Sequence, residues 1–147
     1  MDTVNIDGVI LTELKRIYHP KGDVFHGIKK SDIGYNGFGE AYFSTIVFND
    51  IKLWKMHTRM TLNFIIPVGR IRFVLFDDRD GSSTKGNFLD VMLGEDNYKR
   101  ITIPPGIWVA FKGINENLNL LLNLADLEHD PNEIVRKSSL LDIDYKW

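Results

Sequence analysis

Apolar and polar positions alternate with a period of two along most of this chain. Between Gly69 and Asp78, Ile71, Phe73 and Leu75 share one face while Arg70, Arg72, Val74 and Phe76 share the other, the signature of a strand. Comparable runs extend from Ala41 to Phe48, Ile51 to Arg59, Leu62 to Ile66, Phe88 to Leu93, Lys99 to Ile103, Ile107 to Lys112 and Leu118 to Leu124. Turn chemistry separates them, as in Asn49-Asp50, Pro67-Val68-Gly69, Asp80-Gly81-Ser82-Ser83, Gly94-Glu95-Asp96-Asn97 and Pro104-Pro105-Gly106. Seven or more strands at this spacing predict an all-β sandwich or barrel. Gly8 to Ile17 reads as a further strand and Lys21 to Gly39 as a glycine-rich loop region. Leu118 to Leu124 has the composition of a strand buried on both sides, suited to a two-layer core or a dimer interface. Beyond Asp126 the pattern weakens. There Asp130-Pro131-Asn132-Glu133-Ile134-Val135-Arg136 predicts the start of a short C-terminal helical segment, with Asp130 as cap and Pro131 in the first turn.

No repeat, low-complexity tract or linker divides the chain, and 147 residues suit a single domain, 1–147. Eighteen basic and 20 acidic side chains give a formal net charge of −2, so no whole-molecule field favours nucleic acid or an anionic membrane as partner. An anionic ligand must therefore be held locally. The absence of cysteine removes disulfides, thiolate metal sites and thiol nucleophiles. No apolar run approaches the roughly 20 residues that span a bilayer, and residues 1–8 carry no signal-peptide pattern. A soluble, cytoplasmic protein is the expectation.

One strand carries candidate chemistry. Strict alternation puts Leu53, Lys55, His57 and Arg59 on one face and Lys52, Trp54, Met56 and Thr58 on the other. A Lys, His, Arg row is either a solvated outer face or a lumen that attracts an anion, with His57 as a base able to titrate unaided near neutral pH. Asp77-Asp78-Arg79-Asp80 offers carboxylates, but neighbours in a strand point to opposite faces, so turn and rim structure is the expected role. Gly34-Tyr35-Asn36-Gly37-Phe38-Gly39 opens no helix after a strand and is no phosphate cradle. It reads as a flap or arm, with Tyr35 and Phe38 either stacking on a base or anchoring the loop. Trp54 and Trp108 are expected to pack within the barrel or between subunits.

Taken together, Trp54-x-x-His57, Asn63-Phe64, Gly69, Phe76-Asp77-Asp78-Arg79, Ser83-Thr84-Lys85-Gly86, Ile103-Pro104-Pro105-Gly106 and Asp144-Tyr145-Lys146-Trp147 resemble a branch of the dTDP-4-dehydrorhamnose 3,5-epimerase family. The resemblance runs from Gly8 to Trp147. It implies a cupin-type jelly-roll β-barrel, a homodimer, a nucleotide-sugar substrate and no cofactor. It also implies that His57 removes a proton beside the substrate's keto group, a reaction that needs a base, an acid and a donor for the enolate but no metal. Other family positions differ here. The enolate-stabilising lysine falls at or beside Leu62 and Asn63, two tyrosines six residues apart fall at Asn123 and His129, a second histidine falls at Val109, and an arginine falls at Trp54. The carboxylate that supports the base has no evident counterpart.

The candidate catalytic residues are thus His57 and His129, and the candidate substrate-binding residues are Lys55, Arg59, Asn63, Arg72, Asn123 and Glu133. The first reading is a dTDP-4-keto-6-deoxysugar epimerase or isomerase of surface-polysaccharide or deoxysugar biosynthesis. The second is a non-catalytic nucleotide-sugar-binding or accessory protein with a degenerate site. No metal site is expected, because the positions a cupin uses for ligands read Lys55, His57, Thr61 or Leu62, and Val109, with His19 and His26 on surface loops.

Overall fold

The computed structural model of the protein describes residues 4–147. Alternating stretches become strands that stack in two antiparallel sheets. One sheet comprises β1 (Ile10–Glu13), β9 (Lys99–Ile103), β6 (Leu62–Val68), β11 (Leu120–Ala125) and β4 (Glu40–Thr45), in that order. The other comprises β12 (Ile134–Arg136), β5 (Ile51–His57), β10 (Ile107–Gly113), β7 (Arg70–Asp77) and β8 (Phe88–Gly94). The expected first strand divides into β1 and β2 (Arg16–Ile17), and β2 pairs with β3 (Val24–Phe25) inside the expected loop region. Inward side chains of both sheets, including Leu62, Phe64, Ile71, Phe73, Leu75 and Ile101, make one continuous core. Phe64 and Phe73 stack across it with ring centroids 5.6 Å apart, which joins the layers through their largest apolar groups.

Two irregularities depart from strict alternation. In β6, Leu120 pairs with Val68 but Leu122 with Ile65, so the strand carries an extra residue at Ile66-Pro67. A bulge there suits Pro67, which has no N–H to give a ladder, and it lets β6 run past the expected end at Ile66. In β5, Val109 pairs with Lys55 but Phe111 with Lys52. The extra residue at Leu53-Trp54 turns Lys52 to the same side as Lys55, whereas strict alternation separates them.

The outer faces are covered unevenly. Over the first sheet, the buried Arg100 guanidinium donates to the carbonyls of Gly27 and Ile33 (2.9 and 2.8 Å) and to Asn63 Oδ1 (3.2 Å), fastening loop residues against β9 and β6. Over the second sheet, the C-terminal segment packs Ile143, Tyr145 and Trp147 against Trp54, Val74 and Trp108. The two tryptophans thus lie under the chain's own C-terminal segment. Strand β11 is not buried on both sides as its composition suggests: Leu121, Asn123 and Ala125 face inward, while Leu120, Leu122 and Leu124 remain partly open beside the edge strand β4.

The acidic turn is structural. Buried Asp77 accepts bonds from Arg79, Ser82 and Thr84, and Arg79 and Thr84 in turn bond the backbone of Asp7, which pins the N-terminal segment to the β7–β8 loop. The Arg79 guanidinium first, with the two hydroxyls, holds the Asp77 carboxylate far below its ordinary pKa. The expected helical segment is a single 3-10 turn, Pro131–Glu133, capped by Asp130 Oδ1 accepting from Asn132 N at 2.9 Å; a strand, β12, follows it at once.

Candidate active site

A cavity of about 100 Å³ lies between the sheets, lined by Tyr42 and Ser44 of β4, Lys52, Leu53, Lys55 and His57 of β5, and an apolar wall from β6, β10 and β11. A wider opening of about 360 Å³ adjoins it, lined by Glu40, Met60, His129, Ile134 and Arg136. Tyr42, Lys55 and His57 line both spaces and therefore stand at the junction. Of the row Leu53, Lys55, His57 and Arg59, the first three line the cavity, and Arg59 does not.

His57 ends β5, where Gly106 N donates to its carbonyl at 2.8 Å. Its Nδ1 bonds Oε1 of Glu133, which is only 2% exposed. Oε2 of the same carboxylate accepts the amides of Arg59 and Met60 at 3.1 and 3.2 Å. Burial alone would raise the pKa of Glu133, but these bonds outweigh it and hold the group below its ordinary value, hence ionised. An ionised carboxylate on Nδ1 fixes the tautomer that leaves Nε2 as the basic nitrogen. Glu133 is thus buried, lines neither space and is turned toward the histidine, unlike the substrate-binding position expected for it.

Tyr42 reaches the junction from the opposite sheet. Asn123, inward on β11 and paired in register with Tyr42, donates from Nδ2 to the phenol oxygen at 3.1 Å and accepts the amide of Asn63 at 3.2 Å. The sequence alone gives no sign of a tyrosine here. Tyr42 sits in a correctly expected strand, but only the β4–β11 register sets it beside Asn123. Deeper in the cavity, Lys52 Nζ donates to Ser44 Oγ at 2.8 Å, and burial lowers its pKa. Partial burial first, then the charges of Arg136 and Lys52, lower that of Lys55.

The remaining candidates scatter. His129 lines the opening with His57. Arg59 points outward, paired with Asp130 at 2.8 Å. Asn63 is buried against Gly34, Arg100 and Thr102, outside the cavity. Arg72 belongs to the outer face of its sheet, bonded to Asp90 and lying over the Trp147 ring. Tyr35 and Phe38 line neither space, and Asn36 ties their loop to Asp126 at 2.9 Å. Among the described residues, no group of three or more histidine and carboxylate side chains is placed to hold a metal ion.

Over 93% of its length the chain superposes on 88% of a dTDP-sugar isomerase from Desulfovibrio desulfuricans G20, with a TM-score of 0.90 and 36% identity. The chain belongs to the dTDP-sugar isomerase and epimerase family. Its fold is the cupin-type jelly roll of that family. A probable low-salt glycan biosynthesis epimerase, Agl13 of Haloferax volcanii, is 35% identical over 98 residues, which are 63% of this chain and 62% of that protein. The spore coat polysaccharide biosynthesis protein SpsL of Bacillus subtilis is 25% identical over 128 residues, 87% of this chain and 85% of that one. No family model matches the chain. No helix among the described residues of this family member is long and apolar enough to cross a membrane.

Proposed function

We propose that the protein is an epimerase acting at one carbon of a dTDP-4-keto-6-deoxysugar, in glycan or polysaccharide biosynthesis. The observation that carries this reading is the junction itself: a histidine oriented by a buried carboxylate and a tyrosine oriented by a buried amide, presented from opposite sheets to one space. The keto group acidifies its neighbouring carbons. His57 Nε2 removes the proton from one, and the electron pair moves into an enolate. Tyr42 returns a proton to the same carbon from the other side, which inverts it; moving a proton between adjacent atoms would instead need both groups on one face. Lys52 and Ser44 supply donors toward the sugar's oxygens. No step calls for a metal, and one acid–base pair serves one carbon.

The outward row Ala41, Phe43, Thr45 lies in direct register with Leu124, Leu122 and Leu120 at an open sheet edge, and this uncharged strip supports a homodimer.

The test is incubation with dTDP-4-keto-6-deoxyglucose in deuterium oxide, followed by mass and NMR analysis of the sugar. Deuterium is expected at one carbon next to the ketone, and H57N is expected to slow its entry by about 10²–10⁴-fold. Y42F retains wash-in of deuterium from solvent more than it retains inversion. If the protein binds dTDP yet deuterium never enters the sugar, it is an accessory binder and the epimerase reading falls.

A further inference from the structure

Strands β6, β11 and β4 lie side by side, and a line of hydrogen bonds crosses all three from Asn63 through Asn123 to Tyr42. The middle group, the fully buried amide of Asn123, has a fixed polarity. A backbone N–H can only donate, so the bond from the Asn63 amide at 3.2 Å commits Asn123 to presenting Oδ1 on the β6 side. Its Nδ2 is thereby turned to the β4 side, where it meets the phenol oxygen of Tyr42 as a donor at 3.1 Å. The Asn63 end does not yield, because its own side chain accepts from Arg100 Nε (3.2 Å) and Thr102 Oγ1 (2.6 Å) and donates to the Gly34 carbonyl (3.0 Å). A phenol oxygen that accepts from Nδ2 does not use its own hydrogen in that bond, and among the described residues no other group receives it. The hydrogen is left to the space that Tyr42 shares with His57.

We infer that Asn123 is a positioning residue that sets the direction of the Tyr42 proton: as a committed donor it keeps the phenol hydrogen facing the substrate carbon, on the side from which inversion requires it. This rests on the epimerase reading above and adds to it the reason for an amide at this position. The two supports are of opposite kind, an acceptor behind the base and a donor behind the acid. A carboxylate behind Tyr42 would accept the phenol hydrogen and draw it away from the substrate. When Tyr42 gives its proton to carbon, the electron pair stays on the phenolate oxygen, and Nδ2 continues to donate to it.

The test compares N123D, N123L and Y42F, singly and combined, for inversion of dTDP-4-keto-6-deoxyglucose and for entry of solvent deuterium, with circular dichroism and dTDP titration as checks of fold and binding. N123D, which replaces the donor with an acceptor of the same shape, is expected to slow inversion by about 10²-fold, the lower end of what one positioned acid contributes. N123L is expected to slow it by about 10-fold, the worth of one hydrogen bond. Both retain deuterium entry and dTDP binding near the wild-type level. In the Y42F background neither change slows inversion further, because Asn123 acts through the phenol. A loss of equal size with and without Tyr42 marks a merely structural role and overturns the inference, as does wild-type inversion in a folded N123D or N123L protein. Should N123D not fold, the N123L pair decides by the same comparison. If the wild type exchanges deuterium and Y42F inverts as fast, Tyr42 is not the acid and the inference falls while His57 remains the base. If the wild type exchanges none, the epimerase reading itself falls.

Discussion

Histidine 57 is the base of the proposed reaction, and its carboxylate partner is 76 positions away in the chain. The sequence displayed His57 at the end of a strand, and it displayed Glu133 as the acidic residue of a capped turn. What it did not display is the pairing of β12 with β5, which sets Ile134 opposite His57 and so carries Glu133 beneath the ring. Tyr42 was hidden for the same reason. Its orienting group, Asn123, is recognisable only once β4 and β11 are known to be neighbours. Lys52 was hidden differently, since a bulge inverts the parity on which sequence reasoning depends. The Glu133 carboxylate also makes stability depend on pH. Its folded pKa lies below the ordinary value of 4.5, so its contribution is fully present above that value and is lost as pH falls through the lower, folded one. E133Q is expected to reduce the steepness of acid unfolding below about pH 4.5 and to lower turnover without weakening dTDP binding. Unchanged turnover in a folded E133Q protein would remove Glu133 from the mechanism.

At the level of elements, periodicity located the strands well because most of them have one face in the core and one outside. It located the C-terminal segment poorly. Residues 137–147 hold two short-range structures only, a 3-10 turn (Leu140–Asp142) closed by a Ser139–Asp142 capping box and an extended tail. Their place is dictated by what they cover. Trp54 Nε1 donates to the Leu140 carbonyl at 3.4 Å, Lys137 Nζ lies 4.4 Å from the centre of the Trp108 ring, and Trp147 packs 6.1 Å from Trp54 between ring centroids. Such cover is a substantial part of the fold's stability. Each large apolar side chain buried is worth about 1.5–3 kcal/mol, against a total of roughly 5–15 kcal/mol for a domain. Removal of residues 138–147 withdraws Ile143, Tyr145 and Trp147 together. The shortened chain is expected to lose its cooperative thermal transition and to bind a hydrophobic dye. A transition within a few degrees of the full chain's would show the segment to be a passenger.

For the molecule as a whole, the architecture was legible because alternation and turns leave few options for so many short strands, and the motifs narrowed those to a jelly roll. Its assembly was less legible. The leucines of β11 looked like a strand covered on both sides, and the structure covers one. Phe43, 66% exposed, stands in the middle of the uncovered strip. F43K is expected to convert a homodimer to a monomer in sedimentation analysis, with the fold retained; a wild type that sediments as a monomer sinks the dimer reading. One feature of the molecule links its mechanics to its site. The segment from His129 to Arg136 is held to the second sheet by a three-residue edge strand, yet it contributes the carboxylate bonded to His57 and three residues that line the opening, His129, Ile134 and Arg136. Edge strands this short open locally at less than the cost of global unfolding. Each such opening releases His57 from its carboxylate and unmakes the rim at once, so on the proposed mechanism it interrupts the reaction. A ligand that spans β5 and β12 holds the edge strand closed, and amide hydrogen exchange at Val135 and Lys137 becomes a direct meter of occupancy, slowing in proportion to the ligand bound.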